Sequence, residues 1–279
     1  MKIGVKIIFS DEKTLEEKFA NLQKYGFDNC QLDSWAPHLW TDENANLINS
    51  LCQKYNITIS AFWCGWEGPC VWNFYDGPLT IGLVPAEYRQ ERAKTMKAGA
   101  DFAKKLGVTD VVTHMGFIPE DPNDVNFNAF CAVVRDLAEY MKKNGQYLLF
   151  ETGQETPTAM LRCFEKVGVD NLGVNLDTAN LILYGKANPV DALDVFGKYV
   201  RNLHAKDGCY PTDGHSLGRE VRIGDGKVDF RGVIEGLHRL GYTGYITIER
   251  EIEGDQQIAD ILHANEYLGA IIRDVTGGK

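Results

Sequence analysis

Short strand-like runs alternate with amphipathic helical segments from one end of this 279-residue chain to the other. Segments 3–8, 27–33, 57–63, 110–114, 147–151, 172–177, 200–205 and 245–249 have strand character. Between and after them, helices are expected over 14–24, 42–55, 86–106, 126–143, 158–167, a stretch opening at Pro189, 229–240 and 257–272. The helices rest on apolar spacing such as Leu15, Phe19 and Leu22, stopped by Gly26. Eight strand-then-helix units in a chain of this length predict a single (β/α)8 barrel domain over 1–279. The competing architecture, an open doubly wound sheet, would place a Gly-rich turn after the first strand. Phe9-Ser10-Asp11-Glu12-Lys13 holds no glycine there.

The strand ends carry the chemistry. Leu172, Val174 and Leu176 alternate with Gly173, Asn175 and Asp177, so one face is aliphatic and the other ends in a carboxylate. The runs ending at Glu151, His204 and Glu249 repeat the arrangement. In a barrel, consecutive strand ends surround one mouth, and adjacent strands lie about 4.8 Å apart. Glu151, Asp177, His204 and Glu249 can therefore converge on one divalent cation. Three carboxylates with an imidazole suit Mn²⁺, Mg²⁺, Co²⁺, Fe²⁺ or Zn²⁺, with no thiolate among the donors.

Composition limits the partners. A net charge of −10 opposes a nucleic-acid partner, which requires a basic surface. It still allows a small phosphorylated sugar, held by one local cation. Seven scattered cysteines without a CxxC pair give no disulfide framework. The N-terminal run is short and charged, and no apolar stretch reaches membrane-spanning length, so a cytoplasmic protein with no membrane partner is expected. Self-association as a homo-oligomer is left open.

Phe150-Glu151-Thr152-Gly153-Gln154-Glu155, Asn175 to Asn180, Leu203-His204-Ala205-Lys206-Asp207-Gly208, Gly224 to Phe230 and Ile248-Glu249-Arg250-Glu251 resemble the sugar phosphate isomerase/epimerase superfamily. These are the xylose-isomerase-like barrels, with ketose 3-epimerase and inosose-processing branches. The resemblance implies that Glu151, Asp177, His204 and Glu249 bind one divalent ion, commonly Mn²⁺, and that Glu151 and Glu249 also move the proton. The implied reaction is isomerisation or epimerisation of a small carbohydrate, by proton abstraction beside a carbonyl through a metal-stabilised enediolate. One position departs: Asn180 stands where the epimerases usually carry a histidine three residues after the aspartate. The departure leaves substrate and reaction type open. A metal-dependent lyase, expelling a β-substituent from a keto-sugar or oxidised glycoside, is the alternative.

Further substrate-binding candidates at the mouth are His114, Gln154, Glu155, Asn180, Lys206, Arg219 and Trp66. Lys206 shares the parity of His204, and Arg219 offers a cation for an oxygen-rich group. Segment 64–85 departs from the strand–helix rhythm. Trp66, Trp72, Phe74 and Tyr75 among its glycines are too aromatic for disorder, so it reads as an ordered wall or lid. A phosphodiester-cleaving repair nuclease would need more metal-binding histidines and a less acidic chain. A non-catalytic sugar-binding barrel would not need the whole ligand quartet.

Overall fold

The computed structural model describes residues 1–278. Its strands are β1 (Lys2–Ile8), β2 (Asn29–Ser34), β3 (Thr58–Cys64), β4 (Asp110–Thr113), β5 (Tyr147–Glu151), β6 (Leu172–Asp177), β7 (Val200–Ala205), β8 (Asp207–Cys209), β9 (Arg219–Val221) and β10 (Tyr245–Ile248). All except β8 and β9 close into a parallel barrel in which β1 pairs with both β2 and β10. Helices lie between successive barrel strands, making this the expected (β/α)8 barrel. Among the described residues no helix is long and apolar enough to cross a membrane.

Strand parity separates two layers. Val5, Ile7, Leu32, Phe62, Phe150, Leu176 and Leu203 join Phe19, Ile48 and Phe130 of the helices in the main core between barrel and helices. Each such fully buried side chain contributes about 1.5–3 kcal/mol relative to exposure. The opposite parity faces the barrel axis. There Ala61, Trp63, Val112 and Leu149 form a smaller apolar cluster. Much of the remaining interior is polar: Gln31 of β2 donates to Asn175 of β6 at 3.2 Å, a contact between strands that are not neighbours. Such polar groups stay inside because they bond one another across the axis.

Local signals place the helices as read. Thr41, Asp124, Thr156, Asn188 and Asp229 accept from backbone N–H groups at helix starts, and Pro157 and Pro189 occupy first-turn positions. The helix expected over 86–106 runs instead from Arg89 to Lys105. Its arginines have a task the periodicity does not show. Arg92, buried, donates Nη1 to the carbonyls of Thr80 and Gly82 at 2.7 Å each and Nη2 to Pro69 at 2.8 Å. Arg89 donates Nε to Leu83 at 2.7 Å. Segment 64–85 is thereby tied down as a wall over one side of the mouth. Gly82 and Gly116, both at positive φ, permit the close crossing: a Cβ on Gly82 would stand 2.2 Å from Met115, and one on Gly116 2.2 Å from the Ile81 carbonyl oxygen.

The polar excursion after β7 contains the antiparallel pair β8–β9, with Asp207 opposite Val221. Asp207 organises it. Its carboxylate accepts from the backbone N–H groups of Gly208, Gly224, Gly226 and Val228 at 2.8–3.1 Å. A side chain on Gly226 would stand 2.0 Å from Asp207 Oδ1, which explains the glycine in Gly224-Asp225-Gly226.

Candidate active site

Register brings the strand-end groups to one end of the barrel. Asp177 pairs with His204, and His204 with Thr247, so Glu249 follows two residues on with the same parity. Glu151 lies opposite Asn175 on β6. Four donor atoms, one each from Glu151, Asp177, His204 and Glu249, lie within 4.8 Å of one another, and all four residues are buried. This cluster could hold a metal ion.

The donors are individually oriented for one. Asp177 Oδ1 accepts from the N–H groups of Ala179 and Asn180 at 2.8 Å each, capping the helical turn Asn180–Leu183 that follows β6. Its Oδ2 is buried and has no hydrogen-bond partner. His204 Nε2 lies 2.5 Å from Gln31 Oε1. That amide oxygen can only accept, so the ring carries a proton on Nε2 and turns Nδ1 inward. Nδ1 stands 3.1 Å from Glu151 Oε1, 2.9 Å from Glu249 Oε2 and 3.9 Å from Asp177 Oδ2. Burial alone would lower the imidazole's pKa, but Glu151 and Glu249 overcome it and raise it to about 10. The second ring proton thus occupies the place where a cation between these oxygens would act. Burial drives the Asp177 carboxyl well above the usual carboxylate range, a cost that a cation at Oδ2 would remove. The residues fit a divalent ion.

The outer oxygens of the two glutamates have different partners. Trp63 Nε1–H donates to Glu151 Oε2. Lys6 Nζ lies 2.5 Å from Glu249 Oε1 and 3.1 Å from Asp33 Oδ2. Burial opposes ionisation of both glutamates, yet His204 and His114 hold Glu151 down to about 2. Lys206, Lys6 and His204 hold Glu249 well below its ordinary value. Burial of Asp33 prevails over Lys6 and raises its carboxyl to about 6.

A cavity of about 560 Å³ opens above the cluster. His114, Asn180 and Lys206 line it with Glu151 and Glu249. His114 Nε2 is 3.7 Å from Glu151 Oε1 while its Nδ1 has no partner; burial keeps the ring below its usual pKa. Lys206 Nζ reaches Glu251 at 2.9 Å, Glu249 at 3.8 Å and Asp177 at 3.9 Å. Four sequence candidates are not brought to this surface. Arg219 is exposed on β9 and outside the cavity lining, because the β8–β9 pairing carries it onto the outer hairpin. Trp66 is buried behind the wall, against Trp35 and beneath the Arg92 guanidinium. Gln154 and Glu155 are buried and outside the lining, and none of their side-chain polar atoms has a hydrogen-bond partner.

The lining also includes residues outside the sequence candidates, Lys6, Asp33, Trp35 and Tyr184 among them. The first strand places Lys6 on the face of Gly4 and Ile8, and the second strand ends in Asp33, so parity alone could have found that pair. Trp35 stacks on Trp63 with ring centres 5.0 Å apart, and Trp72 stands edge-on to both Trp35 and His114.

Residues 19–270 match the family model described as xylose isomerase-like TIM barrel. The fructoselysine 3-epimerase of Escherichia coli O157:H7 is 24% identical over 264 residues, covering 89% of this chain and 90% of that protein. The crystal structure of a xylose isomerase domain protein from Planctomyces limnophilus superposes with a TM-score of 0.92 at 33% identity, covering 99% of each chain. A xylose isomerase-like TIM barrel protein from Mycobacterium smegmatis, solved in complex with magnesium, has a TM-score of 0.72 at 17% identity over 100% of this chain and 98% of that one.

Proposed function

We propose, for a chain that belongs to the xylose isomerase-like TIM-barrel family, that it epimerises or isomerises a ketose or keto-sugar by moving a proton at a carbon beside the carbonyl. The observation that carries this reading is the pair Glu151 and Glu249. Their inner oxygens lie 3.1 and 2.9 Å from His204 Nδ1, and their outer oxygens are held by donors that line the cavity. Two carboxylates on opposite sides of one bound carbon are what inversion requires: one takes the proton and the other serves the return.

Glu151, Asp177, His204 and Glu249 would hold a divalent cation, Mn²⁺ first for this oxygen-rich donor set. When bound, the cation supplies a Lewis acid for the substrate's carbonyl and neighbouring hydroxyl. Glu151 is assigned the abstraction step, because its outer oxygen accepts only from a neutral indole. Glu249, its outer oxygen facing the Lys6 ammonium, serves the return of the proton to the other face. Lys206 is placed to hold a substrate oxygen, and Trp35 and Trp63 to carry an apolar sugar face. His114 and Asn180 face the same space. The fructoselysine 3-epimerase relative favours inversion over β-elimination, which begins with the same abstraction.

The test is solvent deuterium incorporation with Mn²⁺-loaded protein and a panel of ketoses and keto-glycosides. Wild type should place deuterium at the inverted carbon. Glu151→Gln should abolish exchange at full metal occupancy, and Glu249→Gln should retain exchange but lose product, with rates falling about 10²–10⁴-fold. Both variants near wild-type rate when metal-saturated would overturn the mechanism. Release of the β-substituent without inversion would favour the lyase.

A further inference from the structure

Among the described residues the cavity has cations but no free one. Among the described residues its lining includes Lys6, Lys206 and Arg250. Lys6 is clasped by Glu249 at 2.5 Å and Asp33 at 3.1 Å. Lys206 reaches Glu251 at 2.9 Å. Arg250 turns away to Glu220 at 2.9 Å and Asp260 at 2.8 Å. Glu253 adds a further carboxylate to the lining, and the helix that begins beside it carries Asp255 in its first turn. A phosphate group entering this mouth would meet carboxylates and cations that are already paired, with no unpaired guanidinium fork among the described lining residues to receive it.

The same cavity is apolar where a substrate would extend outward. Ile8, at the end of β1, is 48% exposed. Leu217, Ile252 and Ile261 are half-buried and line the cavity with it. Ile8 ends β1, Ile252 and Ile261 follow β10, and Leu217 lies between β8 and β9. The volume of about 560 Å³ lies within the roughly 300–1,000 Å³ range that accepts drug-sized ligands, larger than one six-carbon sugar.

We propose that the substrate is a ketose or keto-sugar bearing an uncharged apolar substituent, not a sugar phosphate, with the substituent seated over Ile8, Leu217, Ile252 and Ile261. The proposal rests on the proton-transfer reading above and narrows its substrate class. The sugar is held at the ligand cluster and the aromatic wall. The aliphatic side chains receive the substituent, and its burial there supplies affinity that the paired cations cannot supply to a phosphate.

The test uses full-length Mn²⁺-loaded protein and two matched series, built on D-fructose and on 3-keto-D-glucose. Each is offered free, as the 6-phosphate and with a hexyl group that leaves the ketone intact, an ether on O6 of D-fructose and a glycoside on the anomeric oxygen of 3-keto-D-glucose. Binding is read by tryptophan fluorescence and calorimetry, and turnover by deuterium incorporation. In at least one series the hexyl compound should bind ten-fold or more tighter than the free sugar, and the phosphate no tighter than the free sugar. Ile8→Ser with Ile252→Ser should bring the hexyl-to-free ratio close to one. Ile8→Thr alone, a milder change at an exposed site, should lower it part way. A phosphate bound more tightly than the hexyl compound, no hexyl gain in either series, or a gain that survives the double substitution would overturn the proposal. A hexyl preference in binding, with no deuterium incorporated from any compound, would uphold the apolar seat and overturn the proton-transfer reading instead.

Discussion

His204 Nε2 stands 2.5 Å from Gln31 Oε1, a contact that crosses the barrel interior from β7 to β2 and orients the imidazole. With Nε2 committed to the amide oxygen, Nδ1 is the ring atom left for the carboxylate cluster. Gln31 is itself fixed, donating to Asn175 at 3.2 Å. Gln31→Leu should therefore weaken Mn²⁺ binding about 10–100-fold, the usual effect of removing a partner that orients a ligating histidine. Calorimetric titration of metal-free protein checks this. Wild-type affinity would show that ring orientation is set elsewhere.

The Asp33–Lys6–Glu249 cluster gives a second prediction. Lys6 balances two buried carboxylates, so Lys6→Met leaves Asp33 without its counter-charge and Glu249 with only Lys206 and His204. Removing one partner of a buried ion pair costs about 3–5 kcal/mol. In chelator the variant should melt well below wild type, and Mn²⁺ should restore much of the difference by supplying positive charge beside Glu249. Adding Asp33→Asn should recover part of the loss without metal. Thermal melts with and without Mn²⁺ decide this, and equal melting temperatures in chelator would show that the cluster contributes nothing.

The barrel and the convergence of Glu151, Asp177, His204 and Glu249 are legible in the sequence because both are written in strand parity. Leu172 to Asp177 alternates cleanly, and parity alone places the carboxylate at the strand end facing the axis. Lys6 and Asp33 obey the same rule, but a lone lysine or aspartate at a strand end has many surface explanations, and only the closure of β1 on β2 and β10 brings them to Glu249. The β8–β9 hairpin was not legible. Its three-residue strands are held by Asp207 accepting from backbone groups as far away as Val228, a long-range device with no local periodicity. Arg219 was selected by charge, yet that hairpin carries it outward. Trp66 is a candidate by its aromaticity, yet it packs, buried, beneath the Arg92 guanidinium.

Trp66 and Trp72 should accordingly separate on substitution. Trp66 is 3% exposed and packs on Trp35, while Trp72 is 44% exposed and lines the cavity. Trp66→Ala removes a buried indole and should cost about 3–5 kcal/mol of stability. Trp72→Ala should leave the melting temperature nearly unchanged and raise KM several-fold. Denaturant melts and steady-state kinetics on both variants check this, and a Trp72 variant that loses stability as Trp66→Ala does would make the whole loop a packing element.

Glu155 supplies a pH-dependent test outside the ligand cluster. Both of its carboxylate oxygens are buried without a hydrogen-bond partner, and burial pushes its pKa up to about 8. In the unfolded chain the group titrates near 4.3. Between those values the folded protein holds a proton that the unfolded chain has released, so this group's contribution to stability falls as pH rises through the window. Below about pH 4 both states are protonated and the contribution vanishes; above pH 8 the full penalty of a buried, unpaired carboxylate applies. Each unit of displacement corresponds to about 1.4 kcal/mol. Glu155→Gln keeps the size and polarity of the protonated carboxyl but cannot ionise. The difference in stability, variant minus wild type, should therefore be small near pH 5 and grow to a few kcal/mol in favour of the variant by pH 9. Taking the difference cancels the titration of groups common to both proteins. Urea melts at half-unit intervals of pH, run in chelator and again with Mn²⁺, measure it. A difference that stays flat with pH would show that Glu155 is ionised in the folded protein and paired with a cation through water.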